Sequence, residues 1–211
     1  YLQEVRKMPQ GRLFVISGPS AVGKGTIVNE IMASSENVSL SVSATTRGPR
    51  EGEIDGVHYY FITDDEFLKR VENDGFLEHA GVHGHYYGTP KQPVLDKLAQ
   101  GCDVILEIDV QGAMQVKESY DSGVFIFILP PSLHELRKRI NTRGTESEAD
   151  VELRMSKAMG EIAYIDKYDY FVVNDDLEEA VETVREIMNA EHHRIDEKAA
   201  SLLEKYKGEN A

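Results

Sequence analysis

The stretch Leu13–Thr26 reads LFVISGPSAVGKGT and decides the fold. Leu13 to Ile16 form a continuous apolar run, which is typical of a buried strand. The residues from Gly18 to Lys24 have the glycine and lysine spacing of a phosphate-binding loop, and the residues from Thr26 to Ala33 have a helical pattern. Strand, loop and helix in this order are the context in which such a loop works, so the stretch predicts the start of an α/β domain.

The composition of this loop indicates how it would hold a nucleoside triphosphate. Glycines allow successive backbone N–H groups to turn toward phosphate oxygens, and Lys24 can reach the β and γ oxygens. Gly25 stands where the usual motif has Ser or Thr, and Thr26 follows one place later. The sequence leaves open whether the Thr26 hydroxyl reaches magnesium directly, through water or not at all. The residues expected to contact the triphosphate are Gly18, Pro19, Ser20, Ala21, Val22, Gly23, Lys24, Gly25 and Thr26.

Three further apolar runs predict strands of the same sheet. They occupy residues 104–108, 125–129 and 171–173. Their near-continuous Val, Ile, Leu and Phe content suits parallel strands that helices cover on both faces. The predicted fold class is therefore an α/β P-loop NTPase core with a parallel sheet flanked by helices.

Helix ends are marked by capping residues. Thr63 and Ser132 are each followed three residues later by Glu, a pattern that predicts helix starts, and the first of these helices should end near Gly75. Residues 90–100, closed by Gly101, predict another helix. A helical period from Asp176 to about Tyr206 predicts one long amphipathic helix at the end of the chain.

Two segments interrupt this regular alternation, and we predict that they are subdomains inserted into the core. Residues 44–88 are rich in Gly, Tyr and polar side chains. Residues 134–158 carry a basic set, Arg137, Lys138, Arg139, Arg143 and Arg154. The P-loop core then comprises residues 10–43, 89–133 and 159–207.

Charge and cysteine content restrict the class of protein. The chain has 211 residues, with 37 Asp and Glu against 23 Lys and Arg, which gives a formal charge of -14. Such a surface repels nucleic acid and acidic membranes, so neither is expected as a partner. Cys102 is the single cysteine, which favours a reducing, cytoplasmic location. The sequence leaves the oligomeric state open.

The second strand ends in Glu107-Ile108-Asp109, where a carboxylate near phosphate-bound magnesium is expected. Carboxylates at strand ends also cap helices or face solvent, so this pattern is less specific than the loop. It predicts that Glu107 lies near the metal.

Longer motifs then follow one another along the chain. They are TTRGPREGEIDGVHYYF at 45–61, FLE at 76–78, GHYYGT at 84–89, IDVQG at 108–112, RGTE at 143–146 and VNDD at 173–176. In order and spacing, from about residue 10 to 190, they resemble the guanylate kinase family. The resemblance implies transfer of the terminal phosphoryl group of ATP to GMP, and to dGMP, giving ADP and GDP, with Mg²⁺ as the cofactor.

The resemblance also assigns roles to the two segments. Residues 44–88 would bind GMP, with its phosphate held by Ser43, Arg47, Arg50, Tyr59 and Tyr87. Residues 134–158 would form a lid whose Arg139, Arg143 and Arg154 act on the triphosphate. The chemistry of the residues agrees, because two arginines three places apart can direct planar, permanently charged forks at one phosphate. Catalysis would then rest on Lys24, Arg47, Arg139, Arg143 and Arg154.

Guanine would be read, by the same resemblance, by Glu78, Thr89 and Asp109, while Asn174 would approach the adenine of ATP. Guanine offers donors at N1 and at its 2-amino group, and a carboxylate can accept from both, whereas adenine offers neither. The magnesium ion would be held mainly by phosphates and water, with Thr26 and Glu107 as the candidate protein groups.

Two other functions compete with this hypothesis. One is a catalytically inactive guanylate-kinase-like module that binds protein partners, but the loop residues Gly18, Gly23 and Lys24, together with the Arg and Tyr residues of the predicted GMP site, argue against it. The other is a kinase for AMP or a pyrimidine nucleotide, which Glu78 together with Asp109 disfavours. A GTPase is excluded by the string Asp166-Lys167-Tyr168-Asp169, which lacks the leading Asn of a guanine-reading motif.

Overall fold

In the computed structural model the described residues are 11–141, 147–195 and 197–209. Their strands and helices follow in the order β1 (Leu13–Ser17), α1 (Lys24–Ala33), β2 (Val38–Leu40), β3 (Ala44–Thr45), β4 (Tyr60–Phe61), α2 (Asp64–Glu72), β5 (Phe76–Val82), β6 (His85–Pro90), α3 (Lys91–Ala99), β7 (Asp103–Glu107), α4 (Val110–Ser119), β8 (Val124–Leu129), α5 (Leu133–Asn141), α6 (Glu148–Ile162), β9 (Tyr170–Val173), α7 (Leu177–Glu191) and α8 (Glu197–Glu209). A short 3₁₀ turn at Ile165–Lys167 precedes β9.

The larger sheet is parallel, with the strand order β2-β7-β1-β8-β9. Val15 in the central strand pairs with Leu106 on one side and Phe125 on the other. All four apolar runs predicted as strands are therefore confirmed. Because the strands are parallel, their carboxyl ends meet at one edge, where the loop after β1 also lies.

Both faces of this sheet are buried under helices. On one face, α1 and α7 pack on alternate residues of β1 and β8, such as Phe14, Ile16 and Ile126. On the other face, α3 and α4 cover Val15, Leu106 and Phe125. The side-chain alternation of each strand thus supplies two apolar cores, which explains the near-continuous apolar sequence of these strands.

The smaller sheet has the strand order β4-β3-β6-β5, in which β3 and β4 are parallel and the other pairs are antiparallel. The ring of Phe67 from α2 stacks on Phe76 with centroids 4.4 Å apart and on Tyr86 at 5.3 Å. This aromatic stack fastens α2 to the sheet. All four strands lie between Ala44 and Pro90, but the division of the chain into a core and two subdomains stays a prediction.

The predicted helix starts agree with the structure. The Thr63 hydroxyl accepts from the backbone of Glu66 at 3.2 Å, and the Ser132 hydroxyl accepts from the backbone of Glu135 at 3.1 Å. The helix expected at 90–100 is α3. Among the described residues, no helix is long and apolar enough to cross a membrane.

The single long helix predicted from Asp176 to Tyr206 is wrong. The helix α7 ends at Glu191, a turn follows, and α8 begins at Glu197. The end of α7 is fastened to the amino ends of two strands, because His192 Nε2 lies 2.7 Å from Asp103 Oδ2 and Tyr170 donates to Glu191 at 2.6 Å. These tertiary contacts have no counterpart in the helical period of the sequence.

Candidate active site

The loop after β1 wraps around the amino end of α1. Gly18 has φ 142°, and a Cβ there would lie 2.3 Å from the Ile128 carbonyl oxygen, so no side chain fits. Gly23 has φ 97°, and its Cβ would lie 2.4 Å from Nδ2 of Asn174. These two glycines let the loop pass close to the ends of β8 and β9, as the phosphate-binding conformation requires.

Lys24 crosses the opening of this loop. Its ammonium group donates to the carbonyl oxygens of Gly18 at 2.7 Å and Pro19 at 3.0 Å. Burial lowers the pKa of Lys24, while the charges of Glu107, Glu161 and Asp109 oppose that shift. The lysine is thus a partly desolvated cation among carboxylates, ready to interact with an added anion.

Glu107 lies beside the start of α1, while its contact with magnesium stays a prediction. A Cβ on Gly25 would be 3.4 Å from Glu107 Oε1, so the carboxylate reaches the end of the loop. Burial raises the pKa of Glu107, and Lys24 partly offsets this. Thr26 is exposed on the first turn of α1. Among the described residues, no three or more His, Cys, Asp or Glu converge into a group that could hold a metal ion.

A second polar group lies on the smaller sheet around Arg47. Its guanidinium forms a two-pronged ion pair with Glu53, at 2.9 Å for each nitrogen–oxygen pair, and lies 5.5 Å from the ring centre of Tyr59. The Tyr87 ring is 6.1 Å from Tyr59, and hydrogen bonding with Tyr87 helps to raise the pKa of Arg47. The structure thus brings together Arg47, Tyr59 and Tyr87, as predicted.

Glu53 was missed by the sequence analysis as a site residue. Besides binding Arg47, its carboxylate accepts from the backbone N–H of Arg50 at 2.7 Å. The hydrogen bonds from Arg47 and Arg50 lower the pKa of Glu53 to about 2. Ser43 lies just before β3, where its carbonyl oxygen accepts from Tyr60, and the Arg50 side chain is exposed. Glu53 therefore holds residues 47–53 together, and we call this segment, which carries Arg47 and Arg50, the arginine loop.

Glu78 and Thr89 face each other across β5 and β6. They are register partners, and the Thr89 hydroxyl donates to Glu78 Oε1 at 2.6 Å. Burial raises the pKa of Glu78, the bonds from Thr89 lower it, and the charge of Asp109 raises it further. The Glu78 carboxylate is therefore a buried group with only part of its accepting capacity used.

Asp109 joins this carboxylate from the larger sheet. Its side chain caps α4 by accepting from the Gly112 backbone at 2.8 Å. A Cβ on Gly112 would lie 3.2 Å from Glu78 Oε2 and 3.5 Å from Asp109 Oδ1, so both carboxylates lie against the same backbone. Glu78, Thr89 and Asp109 therefore lie close together, while their reading of guanine stays a prediction.

Two of the three predicted lid arginines, Arg139 and Arg154, are among the described residues, and both contact the phosphate-binding loop. Arg139 donates to the carbonyl oxygens of Asn174 at 3.0 Å and Val22 at 3.4 Å. Arg154 donates to the Ser20 hydroxyl at 3.1 Å. Arg143 lies outside the described residues.

Asn174 supports the loop in this structure, because its side-chain amide donates to the Val22 carbonyl at 2.8 Å. A contact between Asn174 and adenine stays a prediction. Glu161, on the last turn of α6, also approaches the loop near Ser20. It was not predicted from the sequence as a site residue. The only sequence signal would have been its position on the face of α6 that carries Arg154.

The phosphate-binding loop lies at the carboxyl edge of the parallel sheet, and Asp109 at the same edge lies near both Lys24 and the buried Glu78 carboxylate. This arrangement defines a P-loop nucleoside monophosphate kinase.

Comparisons with known proteins specify the family. The guanylate kinase family model matches residues 10–191. A guanylate kinase of Caldanaerobacter subterraneus subsp. tengcongensis is 54% identical over 187 residues, which cover 89% of this chain and 91% of the relative. One from Clostridium perfringens strain SM101 is 51% identical over 203 residues, with 96% and 94% coverage. The crystal structure of guanylate kinase from Anaplasma phagocytophilum has a TM-score of 0.69 and 36% identity, with 89% coverage of both chains. The chain belongs to the guanylate kinase family.

Proposed function

We propose that this protein transfers the terminal phosphoryl group of Mg-ATP to GMP, and also to dGMP, giving ADP and GDP. The observation that carries the proposal is the buried Glu78 carboxylate, which lies beside Thr89 and Asp109. Asp109 follows β7 at the carboxyl edge of the parallel sheet, where the phosphate-binding loop also lies. Two donors on guanine would use the accepting capacity that Glu78 keeps. Because these bonds favour the charged form, GMP binding should lower the pKa of Glu78.

The acceptor phosphate is assigned to the arginine loop. Arg47, held in place by Glu53, would direct its guanidinium at the phosphate, and Arg50, Tyr59, Tyr87 and Ser43 would contribute further donors. The attacking atom is already an anionic phosphate oxygen, so no residue has to remove a proton. Holding the two nucleotides in line is therefore the main task of these residues.

The donor side is assigned to the loop and the lid. Lys24 stabilises charge on the β and γ oxygens, and Arg139, Arg143 and Arg154 stabilise the phosphoryl group during transfer. Glu107 and Thr26 would face the phosphate-bound Mg²⁺, which supplies charge neutralisation when bound.

An acceptor panel tests this proposal. We expect ADP release with Mg-ATP to be fast for GMP, slower for dGMP and near background for AMP, CMP and UMP. Lys24→Ala should lower turnover roughly a hundredfold or more without unfolding the protein, because the loss is electrostatic. Lys207→Ala in the exposed α8 serves as the control and should retain full turnover.

Several outcomes would contradict the proposal. If none of the nucleoside monophosphates supports ADP release, the alternative of an inactive protein-binding module is favoured. A preference for AMP over GMP would contradict the role of Glu78. Near-normal turnover of Lys24→Ala, measured together with its thermal melting, would remove the assigned role of Lys24.

A further inference from the structure

Glu161 lies on the last turn of α6 with its carboxylate largely removed from solvent. The side chain is 15% exposed, and Oε2 is buried without accepting a hydrogen bond from any described residue. Lys157 Nζ lies 3.9 Å from Oε1, which is a loose ion pair. A carboxylate with so few partners is costly to remove from water, so another interaction must offset this desolvation cost.

The compensation comes from the phosphate-binding loop. Arg154 precedes Glu161 by two helical turns and therefore lies on the same face of α6, where it donates to the Ser20 hydroxyl at 3.1 Å. Ala158 lies between them and belongs to the apolar cluster against which Ala21 packs. This face of α6 thus rests on the first half of the loop.

The charges near Glu161 agree with this placement. Burial raises the pKa of Glu161 overall, and Lys157, Lys24 and hydrogen bonding from the Ser20 backbone partly oppose that shift. Conversely, the charge of Glu161 helps to keep Lys24 protonated. The carboxylate is therefore an anion placed against two of the groups that the loop offers to phosphate.

The place of the Glu161 carboxylate along the loop corresponds to one particular phosphate of ATP. A Walker A lysine reaches the β and γ oxygens, and the ammonium of Lys24 is held at Gly18 and Pro19, the first residues of the loop. An anion beside Lys24 and Ser20 is thus on the side of the terminal phosphate. A γ-phosphoryl group brought to the same place would meet a carboxylate of like charge.

We propose that Glu161 lies at the γ-phosphoryl end of the phosphate-binding loop, and that its negative charge opposes the binding of ATP but not of ADP. The inference rests on the proposed function, since it requires the loop to bind ATP. Glu161 is then a positioning residue that weakens ATP binding relative to ADP.

Binding measurements on Glu161→Gln test this inference, because glutamine keeps the size of the side chain and removes its charge. Calorimetry with Mg²⁺ would compare the β,γ-imido analogue of ATP with ADP. We expect the variant to bind the ATP analogue roughly five- to twentyfold more tightly, while ADP affinity changes less than about twofold. Glu152→Gln, on the same helix but paired with Arg137 at 2.7 Å, should leave both affinities unchanged.

The ratio of the two dissociation constants decides the outcome. An unchanged ratio would overturn the inference, and so would weaker binding of the ATP analogue, which would show that Glu161 holds the triphosphate. If Glu161→Gln is unstable, Glu161→Ala should shift the ratio in the same direction. Wild-type protein that binds neither nucleotide would instead contradict the proposed function, and the inference with it.

Discussion

Glu78 shows how one buried carboxylate could select the acceptor. In the Glu78→Gln variant the charge and one acceptor are lost while the size is kept. We expect catalytic efficiency with GMP to fall by roughly 2–4 kcal/mol, because charge-assisted bonds to the two guanine donors are weakened. The KM for ATP should change little, since Glu78 contacts Thr89 and lies near Asp109 rather than the loop.

Discrimination against AMP should shrink in the same variant, because adenine no longer leaves a buried charge unpaired. Steady-state kinetics with GMP, AMP and ATP varied in turn measure both effects. Glu66→Gln in the exposed first turn of α2 is the matched control. An unchanged ratio of GMP to AMP efficiency would show that Glu78 does not read the base.

The sequence predicted the residues of the pocket but not the carboxylates that organise it. Glu78 could be identified because a longer motif surrounds it. Glu53 lies inside the motif at 45–61, which does not show that it pairs with Arg47, and Glu161 has no distinctive local pattern. Their roles depend on partners that the fold supplies, namely Arg47 and the loop around Ser20.

At the scale of elements, predictability followed length and burial. The core strands were predictable because β1, β7 and β8 are runs of five or six mostly buried residues. By contrast, β3 and β4 have two residues each and form only through pairing with distant segments. So short a run shows no periodicity, which explains why β3 and β4 were not predicted. The longer β5 and β6 are each only partly buried and lack a continuous apolar run.

The end of α7 provides a test of why the C-terminal helix breaks. Tyr170 donates to Glu191 Oε1, and the Glu191 side chain is only 2% exposed. Tyr170→Phe would leave a buried carboxylate oxygen without this donor, so we expect the free energy of unfolding to fall by about 1–3 kcal/mol. Turnover should stay normal, because Tyr170 begins β9 at the edge opposite the loop.

Chemical denaturation and steady-state turnover would be measured on the same preparation. Tyr164→Phe, which alters a 48% exposed tyrosine, is the control and should change stability little. Equal stability of Tyr170→Phe and wild type would show that the bond to Glu191 does not fasten the helix end.

At the scale of the whole molecule, the site is divided among three parts of the chain. The loop follows a strand of the parallel sheet, Arg47 and Glu78 lie with the smaller sheet, and Arg139 and Arg154 lie on α5 and α6. Phosphoryl transfer needs the reacting atoms about 3–3.5 Å apart. Water must also be excluded, because it would compete with GMP as the acceptor.

These demands predict that residues 44–88 and 134–158 move inward when both nucleotides are bound. Each segment carries the cations assigned to one nucleotide, so either ligand alone should close only its own side.

Small-angle scattering with GMP and the β,γ-imido analogue of ATP should show a smaller radius of gyration than the free protein. Amide exchange should slow in both segments, while β1 and β8 stay as protected as before. Glu78→Gln serves as the comparison, since weaker GMP binding should reduce the protection of 44–88 at a fixed GMP concentration. An unchanged radius together with unchanged exchange in both segments would contradict closure and leave a rigid site that is already assembled.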